Sequence, residues 1–204
     1  MFDLARLDLP PIVFASISRG GISREGAHGD TEATTRLLNS KEYPPHPAVL
    51  DFEESFGGLE FYEPEYDVPT LVVGPFACFS ASPHWTGRER DLVPVIFSVN
   101  DVVYFLDAQG RGWTCATMAG GGTRPSADNG KALFRQAVLW RVLESRGVDV
   151  KQGRHGAEMA RARGATELVG TSGQTERWWG NETALIVEIE RGNGFTTPVT
   201  FSGR

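Results

Sequence analysis

The stretch YPPHPAVLDFEESFGGLEF, residues 43–61, decides how the rest of the chain is read. Pro44 and Pro45 hold the backbone extended, and Pro47 pre-sets φ for a first helical turn in which its missing N–H is not needed. A helix is therefore predicted to begin at Pro47. Val49, Phe52 and Phe56 recur at three- and four-residue steps and make one apolar stripe, while Asp51, Glu53, Glu54 and Ser55 fall on a polar, acidic face. Gly57 and Gly58 stop the helix as a left-handed cap, and Leu59, Phe61 and Tyr62 continue as a strand.

Immediately upstream, EATTRLLNSKEY (residues 32–43) reads as a second short amphipathic helix, with Asp30 or Thr31 placed to accept a first-turn N–H. The order of helix, proline corner, helix ending in an aromatic residue and Gly-Gly, then Leu and a strand resembles the signature of the SMI1/KNR4, or SUKH, superfamily. The matching residues are Leu37, Leu38, Pro44, Pro45, Phe52, Phe56, Gly57, Gly58, Leu59 and Phe61. The resemblance covers residues 28–147, and Tyr43-Pro44-Pro45 stands where Leu-Pro is more usual. It implies an α+β fold, a mainly antiparallel twisted sheet with helices packed on one side. It also implies a binding task, because many bacterial members are immunity proteins that neutralise polymorphic toxins.

Downstream, Thr70–Val73 and Phe76–Phe79 are apolar runs broken by Gly74-Pro75, which predicts a bend or a sheet edge because proline cannot donate to a ladder. Val93–Thr117 carries the strongest strand signal. Alternating Val93, Val95, Phe97 and Val99, a turn at Asn100-Asp101, the run Val102–Leu106, a turn over Asp107–Gly110 and Trp113–Thr117 predict a three-stranded antiparallel meander. The resemblance implies a similar meander, with an Asp and a Gly at its second hairpin. Residues 128–146 form the longest predicted helix, capped by Ser126 or Asp128 and stopped by Gly147. Near the start, Pro10-Pro11 precedes Ile12–Ile17, which reads as a strand closed by Gly20-Gly21.

The tail, 148–204, lies outside the resemblance. It reads as a helix over Glu158–Arg163 with Gly164 as its stop and strands over Ala184–Glu190 and Pro198–Phe201. We expect it to extend the same sheet, so that residues 1–204 make one domain.

A hydrophobic content of 40% and a charged content of 23% exclude a disordered chain. A formal charge of −6 repels nucleic acid and anionic membrane and favours basic partners. Cys78 and Cys115 stand far apart with no CxxC, which argues against a metal cage or a disulfide framework. The first residues lack a basic segment followed by an apolar core, and no window approaches ~18 apolar residues. A cytoplasmic protein that neither crosses nor binds a membrane is expected.

Catalytic patterns are missing. Gly120-Gly121-Gly122 lacks the Lys-Ser/Thr of a phosphate loop. No GxSxG surrounds any serine. His28, His46, His84 and His155 are scattered, and His155 to Glu158 is one residue too long for the HxE of a zinc deaminase and lacks the paired cysteines. Glu53, Glu54, Glu60, Glu63, Glu65 and Asp67 read as a solvated acidic rim. Trp178-Trp179 reads as a core or sheet-edge pair, with a stacking platform as the alternative.

The expectation is thus a non-catalytic protein without cofactor or metal. It would occlude a basic toxin, a nuclease or deaminase, through ~800 Å² of rigid surface per partner. Asp51, Glu54, Glu60, Glu63, Glu65 and Asp67 would supply charge, and Trp85 an aromatic anchor. The competing readings are a scaffold or regulatory module, and an enzyme working through His84, His155 and Glu158.

Overall fold

The computed structural model describes residues 8–24, 30–64, 66–81, 91–99, 102–116, 122–145, 149–150, 156–173, 175–191 and 195–202. The first element, α1 (Pro11–Gly20), corrects the strand predicted over residues 12–17. Pro11 sits at the first helical position, where its fixed φ suits a helix, and Val13 and Ile17, one turn apart, are buried on the same face. Burial on that face outweighs the local strand preference of the β-branched residues.

Strand β1 (Ile22–Arg24) precedes α2 (Thr31–Ser40), whose first turn is capped by Asp30 accepting from the Ala33 N–H at 2.8 Å. Helix α3 (Pro47–Phe56) begins at the predicted proline and buries Val49 and Phe52. The left-handed position at its end is Gly58, φ 74°, whereas Gly57 keeps a negative φ of −56°. Strand β2 (Leu59–Phe61) follows, then β3 (Leu71–Val73).

The predicted second apolar run is a helix, α4 (Pro75–Ala81), with Pro75 as its opening residue rather than a break in a sheet. The meander forms as β4 (Val93–Ser98), β5 (Val102–Leu106) and β6 (Gly112–Ala116); the predicted turn at Asn100-Asp101 lies outside the described residues. Strand β7 (Arg124–Ala127) leads into α5 (Gly130–Ser145). Its cap is Asn129, which accepts from the Ala132 N–H at 2.9 Å, in place of Ser126 or Asp128. Ser126 is instead buried, donating to Gln136 Oε1 at 2.6 Å.

These seven strands pair antiparallel in chain order, β1 to β7, in one sheet. The expected α+β architecture, a mainly antiparallel sheet with packed helices, is what the chain adopts. The tail departs from expectation. Strands β8 (Asp149–Val150), β9 (Thr166–Glu167), β10 (Glu176–Gly180), β11 (Ala184–Arg191) and β12 (Phe195–Ser202) make a second five-stranded sheet, ordered β8-β12-β11-β10-β9, with α6 (Gly156–Ala162) against it.

The free side of β7 explains why the tail does not simply continue the first sheet. Thr175 Oγ1 donates to Pro125 O at 2.8 Å, and Gln136 Nε2 reaches Thr171 O at 2.7 Å. Gly173 lies so close to β7 that a Cβ there would stand 2.0 Å from Ser126 O. A loop of the tail therefore covers that edge, a common way of closing a sheet.

The two sheets enclose α5. Leu133, Phe134, Leu139 and Leu143 are fully buried, each worth ~2 kcal/mol of transfer free energy, and one continuous apolar cluster joins α1, α2, α3, α5 and residues of both sheets. Along β10, Trp178 turns to α5 and meets Trp140 edge-on at 5.4 Å, while Trp179 turns to Ala160 of α6. The tryptophan pair is core, as its safer reading predicted. Among the described residues no helix is long and apolar enough to cross a membrane.

Candidate functional site

The predicted contact residues separate into distinct environments. Asp51 and Glu54 are exposed on α3, and Asp67 is exposed in the loop between β2 and β3. Glu60, half-buried on β2, accepts from Tyr62 Oη at 2.6 Å and from Ser23 Oγ at 3.4 Å. Arg24 on β1 donates through Nε to Gly57 O and through Nη2 to Glu54 O, both at 3.2 Å, tying the outermost strand to the end of α3. Glu54, Glu60, Ser23, Arg24 and Tyr62 thus share one edge of the molecule. Glu65 and Trp85 lie outside the described residues.

Glu63 corrects the reading of a solvated rim. It forms an ion pair with Arg141 of α5, with side chains only 14% and 8% exposed, so it anchors the loop from beneath. Arg141 also lies 5.9 Å from the Tyr66 ring centroid, a cation–π distance. The loop is closed further by Tyr66 N–H to Glu63 O at 3.0 Å and Thr70 N–H to Phe61 O at 2.7 Å.

What this scaffold presents was missed in the sequence. Tyr66 and Val68 are 48% and 55% exposed, on either side of exposed Asp67. Two large apolar side chains flanking an acid, between Pro64 and Pro69, which disfavour a strand there, were the available signal.

Glu53 also corrects the solvated rim, because it is buried. Burial pushes its pKa from 4.5 up to about 7, against the opposing pull of Arg24. The neighbouring Cys78 thiol is buried, and burial first, then the charge of Glu53, pushes its pKa well up; a thiol held neutral is a poor nucleophile. Cys78 and Cys115 carry free thiols.

Glu176 is as deeply buried as Glu53. Burial raises its pKa, while the Trp140 indole, Arg124 and the Trp178 indole act to lower it. Neither of two hollows among the described residues is lined by these groups. The hollow beside Glu63 and Arg141 measures about 30 Å³, room for a single water molecule. A cleft of about 480 Å³ lies elsewhere, between the Asp8–Pro11 segment, Arg135 and the turns 164–169 and 180–182, with Asp8, Glu167 and Glu182 among its lining residues.

Of the three groups proposed for catalysis, one lies among the described residues. Glu158 is exposed on α6, and His84 and His155 lie outside the described residues. Among the described residues no set of three His, Cys, Asp or Glu side chains is placed to hold a metal. The chain matches no family model, no curated protein and no solved structure. The surface formed by α3, the β1–β2 edge and the described residues of 62–70 carries exposed Tyr66 and Val68, exposed carboxylates at Asp51, Glu54 and Asp67, and the Glu63–Arg141 ion pair beneath.

Proposed function

We propose that the protein binds a basic protein partner through the loop 62–70 and the adjoining edge of β1, β2 and α3. We propose further that it acts in the cytoplasm as an immunity protein of SMI1/KNR4 type, masking the active site of a nuclease or deaminase toxin. The observation that carries this reading is the pair Tyr66 and Val68, exposed about Asp67 on a loop locked by the Glu63–Arg141 ion pair. Aromatic and apolar anchors held in place before binding lose little conformational entropy on association, and carboxylates around them steer a cationic partner. The order α2, proline corner, α3, Gly-Gly, β2, meander and long α5 supports the superfamily resemblance. The free thiols of Cys78 and Cys115 agree with a reducing compartment.

The test is growth rescue. Co-expression with toxins encoded beside this gene should restore growth, and Tyr66→Ala combined with Asp67→Lys should abolish rescue while lowering stability by no more than ~1 kcal/mol, the scale of the lost Tyr66–Arg141 contact. Failure to rescue from every adjacent toxin, or undiminished rescue by the double variant, overturns the proposal.

A further inference from the structure

The corner where α3 ends holds a buried carboxyl group with one unpartnered oxygen among the described residues. Glu53 turns its side chain between Gly57 and Gly74, where a Cβ on Gly57 would stand 2.2 Å from Glu53 Cδ and one on Gly74 2.3 Å from Oε2. Only glycine backbone fits around it.

Four backbone donors of this corner are spent. Gly57 N–H donates to Glu53 O at 2.8 Å, Gly58 N–H to Val73 O at 2.9 Å, Gly74 N–H to Val95 O at 2.7 Å and Cys78 N–H to Gly74 O at 3.0 Å. Arg24, the cation acting on the group from β1, has committed Nε and Nη2 to the carbonyls of Gly57 and Glu54. From α4 the facing titratable group is the neutral Cys78 thiol, and on α3 itself Asp51 and Glu54 are exposed. Among the described residues Glu53 Oε2 has no hydrogen-bond partner. A carboxylate in such a place forfeits its hydration without replacement, whereas a neutral carboxylic acid forfeits far less.

We propose that Glu53 is a proton-operated latch: as the neutral acid it lets α3, β3 and α4 close on one another, and its ionisation loosens that corner and draws Arg24 from the carbonyls of Gly57 and Glu54 toward the carboxylate. Because Arg24 belongs to the outermost strand, the shape of the β1–β2 edge changes with pH. The latch is independent of what that edge binds.

The direction of the pH dependence follows from proton uptake. Between 4.5 and about 7 the native protein holds a proton that the unfolded chain has released. Stability is therefore full below that window and falls as pH rises through it, by up to about two orders of magnitude in the unfolding equilibrium constant.

Urea unfolding of the full chain and of Glu53→Gln between pH 5 and 8.5 tests this. Glutamine keeps the volume but has no proton to lose. The ratio of the two unfolding constants should shift at least tenfold in favour of Glu53→Gln across the range; parallel curves overturn the latch. A carbon-detected NMR titration of the unaltered protein needs no variant to fold. A Glu53 carboxyl midpoint near 7, with Arg24 Nε shifting at the same midpoint, is expected. A midpoint near 4.5 overturns the proposal, and a stationary Arg24 overturns its coupling to the edge.

Discussion

Glu53 and Glu176 are each only 1% exposed, yet they stand in opposite kinds of surroundings. Glu176, on the second sheet, receives the Trp140 indole at 3.0 Å and the Trp178 indole at 3.2 Å on one oxygen, with Arg124 of the first sheet 3.5 Å from the other. Glu53, at the α3–α4 corner, has an Oε2 that receives no hydrogen bond among the described residues. Burial raises both pKa values, but donors resist it at Glu176, where only a distant Coulomb pull resists it at Glu53. The supply of hydrogen-bond donors, not depth, separates an acid held between the two sheets by a pair of indoles from one whose Oε2 meets only glycine backbone.

The hardest test of that contrast is Glu176→Ala. It would leave two indole N–H groups and a guanidinium facing an apolar methyl, at a cost of about 3 kcal/mol in urea unfolding. A loss no larger than that of an exposed residue would break the comparison. Glu176→Gln, which keeps an acceptor for the indoles, should cost distinctly less.

Next in size is Gly74→Ala, expected to cost about 2 kcal/mol because φ is 102° and the new Cβ meets Glu53 Oε2. Pairing it with Glu53→Ala removes the clash but not the backbone strain. The double variant should recover part of the loss in a mutant cycle, and strict additivity would deny that the carboxyl fills that space.

The smallest effect sharpens the comparison with a third acid. Asp107, also buried, accepts from the N–H groups of Gln109 and Arg111 at 2.9 Å, from Arg111 Nε at 2.8 Å and from Trp113 Nε1 at 3.1 Å. Burial acts to raise its pKa, but the bonds from Trp113, Arg111 and Gln109 prevail and lower it. Its charge therefore supplies stability above the ordinary carboxylate range, and that stability is lost as pH falls through the lowered pKa. Asp107→Asn should cost about 1.5 kcal/mol near neutral pH and flatten the acid side of the stability curve. An unchanged acid side would sink this assignment.

Asp107 was also among the most legible features. A turn with Asp at its start and Gly110 at its end, φ 78°, needs only local rules, since the aspartate bonds residues two and four ahead of it. The helix from Pro47 and the meander were legible for the same reason. The Asp51 and Glu54 positions are solvent-facing as the helical period requires; Glu53, four residues after Val49 and three before Phe56, falls on the apolar side by the same period, and only its charge argued for the outside. Its burial arises because Gly74 and α4 close over that side of the helix, a contact between residues about twenty apart. Glu63 was misjudged for a similar reason: its partner, Arg141, is far along the chain.

What the sequence alone determined is therefore the punctuation of the chain: prolines that open α3, glycines that close it, alternation that makes β4 and β5, and an apolar helix long enough to be core. Tertiary structure decided the rest. Residues 12–17 became a helix because a helical face was what α5 could bury, and the tail lays a loop over β7 while pairing its strands as a separate sheet. Local patterns specify what a segment can form, through backbone sterics and side-chain period. Which of those forms survives, and whether a carboxyl within it meets water, donors or only glycine backbone, depends on contacts whose partners lie elsewhere in the chain.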